Sequence, residues 1–415
     1  MNRSVADIEI MSPVGSYESL MAAIQGGADA VYFGIEHLNM RSRSANNFTL
    51  SDLENIANIC REKNIRTYIT INTIIYDHEI KLMQTIVDAA KKNNITAIIA
   101  SDMSVILYAR KAGVEVHIST QCNITNIEAV KYYSQFADVI VTARELSLKQ
   151  VAEIVKTIKN ENIKGPSGNL VHIEIFVHGA LCMAISGKCY LSLDNMNYSA
   201  NRGACLQLCR RSYIVKDKEE GYELEIDHEY IMSPKDLCTI KFLDKIINTG
   251  VSIFKIEGRG RSPEYVKTVT RCYKEAAKAV IEGSYCEKKI EQWAEELKSV
   301  YNRGFWDGYY LGSKLGEWTE KYGSRATKTK LYVGKISNYF SNIGVAEIKI
   351  ETNKISLGDN ILITGITTGV IEVKISEIRI DLEKSENAVK GDICSIPVPE
   401  LARRNDKVYL LADSF

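Results

Sequence analysis

The chain is predicted to be an α/β protein: a TIM-like (β/α)8 barrel with a cysteine-rich insertion after strand seven, plus a small C-terminal β-barrel. Three observations predict this. Over roughly the first 260 residues, eight short apolar runs of strand length alternate with segments of helical spacing. After the seventh run the chain spends residues 180–245 before a convincing helix, and four of its ten cysteines open that excursion. From about residue 330 the pattern switches to period two, with Gly and Asn turns.

The strand-like runs are 8–13, 30–35, 66–72, 97–101, 115–120, 138–143, 172–179 and 252–258. They read as continuous apolar stretches rather than alternating ones, which is the signature of parallel strands buried on both faces. Between them, "SYESLMAAIQGGA", "LSDLENIANICREKN" and "EIKLMQTIVDAAKKNN" repeat at helical spacing and close on Gly or Asn. Eight such units make a barrel of about 250 residues. A doubly wound open sheet fits less well, because the turn after the first strand, "SPVGSYES", lacks the GxGxxG pattern. The expected division is residues 1–283 for the barrel with its cysteine-rich loop at 179–233, 284–328 for a helical and Gly/aromatic connector, and 329–415 for the small β-barrel.

Composition excludes several classes. Lys plus Arg equals Asp plus Glu at 52 each, so bulk charge predicts no polyanion partner and any nucleic-acid contact must be local. No apolar run reaches the roughly 18 residues of a membrane span, and "MNRSVADIEIMSPVG" carries no long apolar h-region. A cytoplasmic, reducing setting is therefore expected, where ten cysteines are poor candidates for a disulfide framework. Cys60, Cys272, Cys286 and Cys394 read as isolated, mostly buried thiols.

The other four cysteines are spaced Cys182-x6-Cys189-x15-Cys205-x3-Cys209. Four thiolates suit Zn(II) or an iron–sulfur cluster. No C-x2-C knuckle occurs, so a cluster wrapped by the loop is favoured over zinc, with unliganded thiols the third alternative. Gly187 and Gly203 would let backbone approach inorganic sulfide, and Arg202, Arg210 and Arg211 would offset thiolate charge. Cys122 and Cys238 are possible substitutes for one ligand. No G-x-S-x-G elbow or H-E-x-x-H helix points to a protease.

"FVHGALCMAISGKCYLS", "NRGACLQLCRRSY" and "FKIEGRGRSPEYV" resemble the signature blocks of the collagenase-like peptidase family. "LMAAIQGGADAVYFG", "ARELSLKQ" and "MSPKDL" extend the resemblance over the chain. It is nearest to the family's prephenate-using tRNA uridine hydroxylases. The resemblance implies a [4Fe–4S] cluster on Cys182, Cys189, Cys205 and Cys209, and hydroxylation of a tRNA wobble uridine at ring carbon five with prephenate as hydroxyl donor. An rRNA cytidine hydroxylase of the same family is the alternative, a collagenase-like protease a remote one, and a second related subunit is possible. A dicarboxylate donor needs cationic clamps, for which Arg41, Arg43, Arg144, Lys255 and Arg259 stand near strand ends. Asn72 and Gln121 are candidates for a pyrimidine edge, and His178, Glu145 and Glu257 for acid–base work. Tyr32, Tyr190 and Tyr198 are candidate stacking partners, and Lys321, Arg325, Lys328, Lys330, Arg403 and Arg404 candidate phosphate contacts.

Overall fold

A computed structural model describes residues 4, 7–43, 47–213, 219, 232–313, 316–320 and 322–414. The first nine strands are β1 (Glu9–Pro13), β2 (Ala30–Gly34), β3 (Arg66–Ile71), β4 (Ala97–Ala100), β5 (Glu115–Ile118), β6 (Val139–Val141), β7 (His172–Gly179), β8 (Asp236–Cys238) and β9 (Ile253–Ile256). All but β8 form a closed parallel ring, because β1 pairs with both β2 and β9, and β9 pairs in turn with β7. Strand β8 stands outside the ring, antiparallel to the end of β7, and extends to β10 (Phe305–Trp306).

The expected helices fill the intervals: α1 (Tyr17–Gln25), α2 (Leu53–Glu62), α3 (Ile80–Lys92), α4 (Met103–Ala112), α5 (Ile127–Tyr133) and α6 (Leu148–Asn160). Local chemistry sets their ends. The Asp102 carboxylate accepts from the Ser104 N–H at the start of α4, and Gly113 closes that helix at φ 74°. At α6, Ser147 and Gln150 form a reciprocal capping box. The seventh connection holds the short α7 (Leu191–Met196) and then α8 (Leu243–Asn248), while α9 (Pro263–Ile281) and α10 (Glu287–Ser299) follow β9.

Alternate residues of each strand face opposite ways. Ile10, Val31, Ile69, Ile98 and Phe254 pack in the large core with the helices. Met11, Ala30, Tyr32, Tyr68, Ala97, Ile99, Val139 and Ile253 form a separate buried cluster inside the ring. Glu9, His117, Glu174 and Lys255 are buried as well. Branched aliphatics dominate most barrel interiors, so this charge is unusual.

The C-terminal region, where the sequence pattern has period two, holds ten strands among the described residues. They are β11 (Lys328–Phe340), β12 (Val345–Ile350), β13 (Lys354–Ser356), β14 (Asn360–Gly365), β15 (Gly369–Lys374), β16 (Ile378–Ile380), β17 (Glu383–Ser385), β18 (Asn387–Val389), β19 (Ile393–Pro397) and β20 (Lys407–Asp413). The apolar run 369–380 breaks into β15 and β16 because the Ile375 N–H turns away to the Asp359 carbonyl. Eight strands form one antiparallel sheet in the order β15-β14-β20-β11-β12-β19-β16-β17, and β13 pairs with β18. Val333, Ile348, Ile363, Ile371, Ala388 and Ile396 from both sheets converge on one apolar core, so the unit curls about a common centre. It docks on α1 and α9: Gln25 bonds Thr368 and Val370, the Lys267 ammonium bonds the Val370 carbonyl, and Lys330 pairs with Glu264 at 2.9 Å.

Candidate active site

At the C-terminal ends of the barrel strands, where barrels hold their active sites, lies a cavity of about 210 Å³. Tyr32, Thr70, Ile99, Phe176 and Lys255 line it from the barrel, and the cysteine-rich connection covers one side with Cys182, Cys189, Cys205 and Cys209. Arg41, Asn72, Gln121, Arg144, Glu257 and Arg259 are also in its lining. The structure thus brings most of the sequence-predicted site residues to one surface.

Charge is lopsided there. Seven cations line the cavity, Arg41, Arg144, Arg210, Lys255, Arg259, Arg261 and Arg303, against Glu257 as the one carboxylate among the described lining residues. Arg41 pairs with Glu257 at 2.8 Å. Burial pushes the Glu257 carboxyl up, but the guanidinium groups of Arg41, Arg144 and Arg259 overcome it and hold the pKa at about 2. The Tyr32 hydroxyl donates to the Ile256 carbonyl at 2.8 Å and sits 3.3 Å from Glu257. Arg259 is fixed by Asn39 at 3.0 Å and Thr70 at 2.9 Å, and burial brings its guanidinium down to about 10. Arg144 lies over the Phe176 ring at 3.9 Å and donates to the Ala180 carbonyl at 3.1 Å. Among the described residues its Nε has no hydrogen-bond partner, nor does the buried Oε1 of Gln121. Such orphaned groups are costly in a closed core and are the points a ligand would satisfy.

None of the ten cysteines is disulfide-bonded. Burial pushes the Cys209 thiol up to about 11; Arg210 opposes this, while Cys182, Cys205 and Cys189 stand near enough to add to it. Four reduced thiols on one wall, backed by cations, are a donor set that fits a group demanding four thiolates. Among the described residues, no three His, Cys, Asp or Glu side chains already close around a single metal position. Gly187 and Gly203 both have positive φ, at 79° and 78°, so this loop depends on residues without a Cβ. Half-buried Arg210 ties it down through the Leu181 carbonyl at 2.7 Å and the Pro234 carbonyl at 2.6 Å.

Several predicted residues lie elsewhere. His178 is buried behind the cavity among Tyr265, Tyr273 and Phe305, and burial lowers its pKa to about 3. Glu145 is exposed beyond β6, and its neighbour Arg144 takes the cavity position. Exposed Arg43 leans on Tyr198 at 5.1 Å outside the cavity. Cys122 directs its thiol at the Ser101 carbonyl, and Cys238 is buried against the Tyr273 hydroxyl, so neither faces the four cysteines. Cys286 is exposed rather than buried, because it precedes α10 at the surface. Arg202 is engaged by Glu79 at 2.7 Å and stacks on Tyr76, Arg211 is exposed, and Tyr190 is 75% exposed. Of the candidate phosphate contacts, Arg325, Lys328 and Lys330 pair with Glu320, Asp413 and Glu264, Arg403 donates to Thr368, and Arg404 is exposed. Lys321 lies outside the described residues. Arg261 and Arg303 were not foreseen. Arg261 stood in the quoted "EGRGRSPEY" beside Arg259, whereas nothing in the sequence ties Arg303 to a barrel 50 residues upstream.

The chain is similar to several known proteins. A protein named collagenase from Porphyromonas gingivalis is 61% identical over 98% of both chains. The tRNA hydroxylation protein P1 of Bacillus subtilis is 30% identical over 85% of this chain and 82% of its own. The 23S rRNA 5-hydroxycytidine C2501 synthase of Escherichia coli is 35% identical over 75% of this chain and 46% of its own. Among the described residues, no helix is long and apolar enough to cross a membrane. Residues 15–320, which contain seven of the eight ring strands, the cysteine-rich connection and all seven cavity cations, match the sequence profile of peptidase family U32, and the chain belongs to that family.

Proposed function

We propose that this protein hydroxylates RNA: it places a hydroxyl group on ring carbon five of a tRNA wobble uridine, with prephenate as donor, in the cytoplasm. The observation that carries the reading is the meeting of four thiols and seven cations around one cavity. Cys182, Cys189, Cys205 and Cys209 would hold a [4Fe–4S] cluster, which supplies electron exchange or a binding point for an oxygen ligand. Four thiolates make such a group anionic, and a dicarboxylate donor adds charge, so the surplus of arginine matches both. Arg144, Arg210, Arg259 and Arg261 have no carboxylate within ion-pair distance among the described residues and are the clamps for the donor. The Gln121 Oε1 and Arg144 Nε offer an acceptor and a donor to a pyrimidine edge. Replacement of a ring C–H by C–OH oxidises the base by two electrons, and exchange of the donor's C–OH for C–H reduces the donor by two, so that hydroxyl and hydrogen change places. Relatives named for tRNA and rRNA hydroxylation support the class of reaction.

The test is nucleoside mass spectrometry of tRNA and rRNA from cells lacking the gene and from cells re-expressing it. 5-Hydroxyuridine or its descendants should vanish from tRNA, return with the wild type and fail to return with a Cys→Ser change at any of the four positions. Iron and acid-labile sulfide in each purified variant should fall together. Loss of an oxygen from an rRNA cytidine instead would move the substrate to rRNA. Peptide hydrolysis is the second reading, favoured by the name of the 61% identical relative. It predicts gelatin cleavage that depends on one cysteine, yet no histidine lines the cavity among the described residues.

A further inference from the structure

The charged interior of the barrel has a direction. At the cavity floor, the Lys255 ammonium meets Glu174 Oε1 at 2.7 Å and lies 4.7 Å above the Tyr32 ring. The second oxygen of Glu174 faces His117 Nδ1 at 4.0 Å, and both atoms are buried without a hydrogen-bond partner among the described residues. The far nitrogen of His117, Nε2, meets Glu115 Oε1 at 3.1 Å, and the Glu115 side chain is 39% exposed. Glu115 opens strand β5, so it stands at the end of the barrel opposite the cavity. Four titratable side chains thus run from the cavity floor through the barrel to solvent on the other side. Ion pairs of this kind are poor stabilisers compared with the aliphatic layers that usually fill a barrel. Two orphaned polar atoms that face each other add further cost. A small turn of either side chain would join them.

We propose that Lys255 is the proton-handling group of the cavity and that Glu174 and His117 connect it to solvent through the barrel. A macromolecular substrate covering the cysteine side closes the near mouth, so a buried base there needs another outlet. The proton passes from Lys255 Nζ to Glu174, the carboxyl turns and gives it to His117 Nδ1, and His117 Nε2 releases its own proton to Glu115 or water. Lys255 is left as an amine that takes a proton from the substrate and so regains its ammonium form. The inference deepens the hydroxylase reading and rests on it for the substrate. His117 is faced by Tyr68 from β3, Glu9 from β1, and Glu174 and His172 from β7, besides Glu115 of its own strand; Arg66 of β3 pairs with Glu9, and Lys255 of β9 with Glu174, one residue further out.

Two measurements on the full-length protein test it. In the RNA modification assay, His117→Ala should lower kcat about 100-fold with KM unchanged, in the range of a lost proton transfer. Added imidazole should restore much of the rate, and His117→Gln should not be rescued. A fall without rescue, or no fall, overturns the proposal. Independently of activity, the ring of His117 is followed by carbon-13 NMR across pH. Glu174→Gln and Lys255→Met should each move its titration by about one pH unit or more, in opposite directions, because one removes a neighbouring anion and the other a cation. An unmoved titration in both overturns the connection even if no RNA substrate is found. A moved titration in a protein that leaves RNA unchanged sinks the hydroxylase reading alone.

Discussion

Replacing Glu257 by Gln removes the carboxylate that Arg41, Arg144 and Arg259 surround while keeping its shape. Burial raises the pKa of that carboxyl, yet the three guanidinium groups bring it to about 2, against an ordinary 4.5. At about 1.36 kcal/mol per pH unit, the interval makes the ionised group worth on the order of 3 kcal/mol of folding stability at neutrality. The folded-state pKa is the lower one, so this contribution is complete above about pH 4.5 and lost as pH falls. It should be near half around pH 3 and gone below about pH 2. Urea unfolding of wild type and Glu257→Gln, followed by circular dichroism at matched pH, reads the difference directly. The gap between the two proteins should be widest at neutral pH and shrink towards acid, while other groups cancel. A gap that stays constant across the range, or a variant as stable as wild type at neutrality, would show that the cavity cations do not depend on this carboxylate.

Two further outcomes follow from the packing. Lys255→Met leaves Glu174 buried and uncompensated, so it should cost about 3–5 kcal/mol in urea unfolding, while the double change Lys255→Met with Glu174→Leu should recover most of that; additive single effects would contradict the pair. Gly179 has φ 104°, and a Cβ there would collide with the Glu257 carbonyl oxygen, so Gly179→Ala should cost about 1–3 kcal/mol in thermal unfolding. An unchanged Tm would contradict that close approach.

The barrel was legible because parallel strands buried on both faces leave uninterrupted apolar runs, and each of the eight lies where such a run predicted it. The cysteine spacing pointed to one loop, and the loop lies against the strand ends. What escaped was orientation. His178 shares strand parity with Phe176, which faces the cavity, but the β7–β9 register shifts between the two and turns the imidazole towards Tyr273. No single-strand pattern reveals such a bulge. Arg303 escaped for another reason: it arrives from the chain after α10 through Asp236 at 3.5 Å, a contact between residues 67 apart. The interior charges Glu9, His117 and Glu174 were hidden inside otherwise apolar runs, where alternation within a closed ring, rather than composition, decides what faces inward.

Strand β10 has a bearing on how the molecule can be divided. The ring is complete at residue 256, yet β10 lies on β8, Phe305 packs on His178, and Arg303 reaches the cavity from just ahead of it. A shortened chain that stopped after α9 would keep every barrel strand and still lack one of the cavity's cations and part of its rear wall. The unit of folding and the unit of chemistry have different borders here. Grafting this barrel onto another partner, or shuffling its tail among relatives, would therefore exchange part of the reaction chamber together with the appendage.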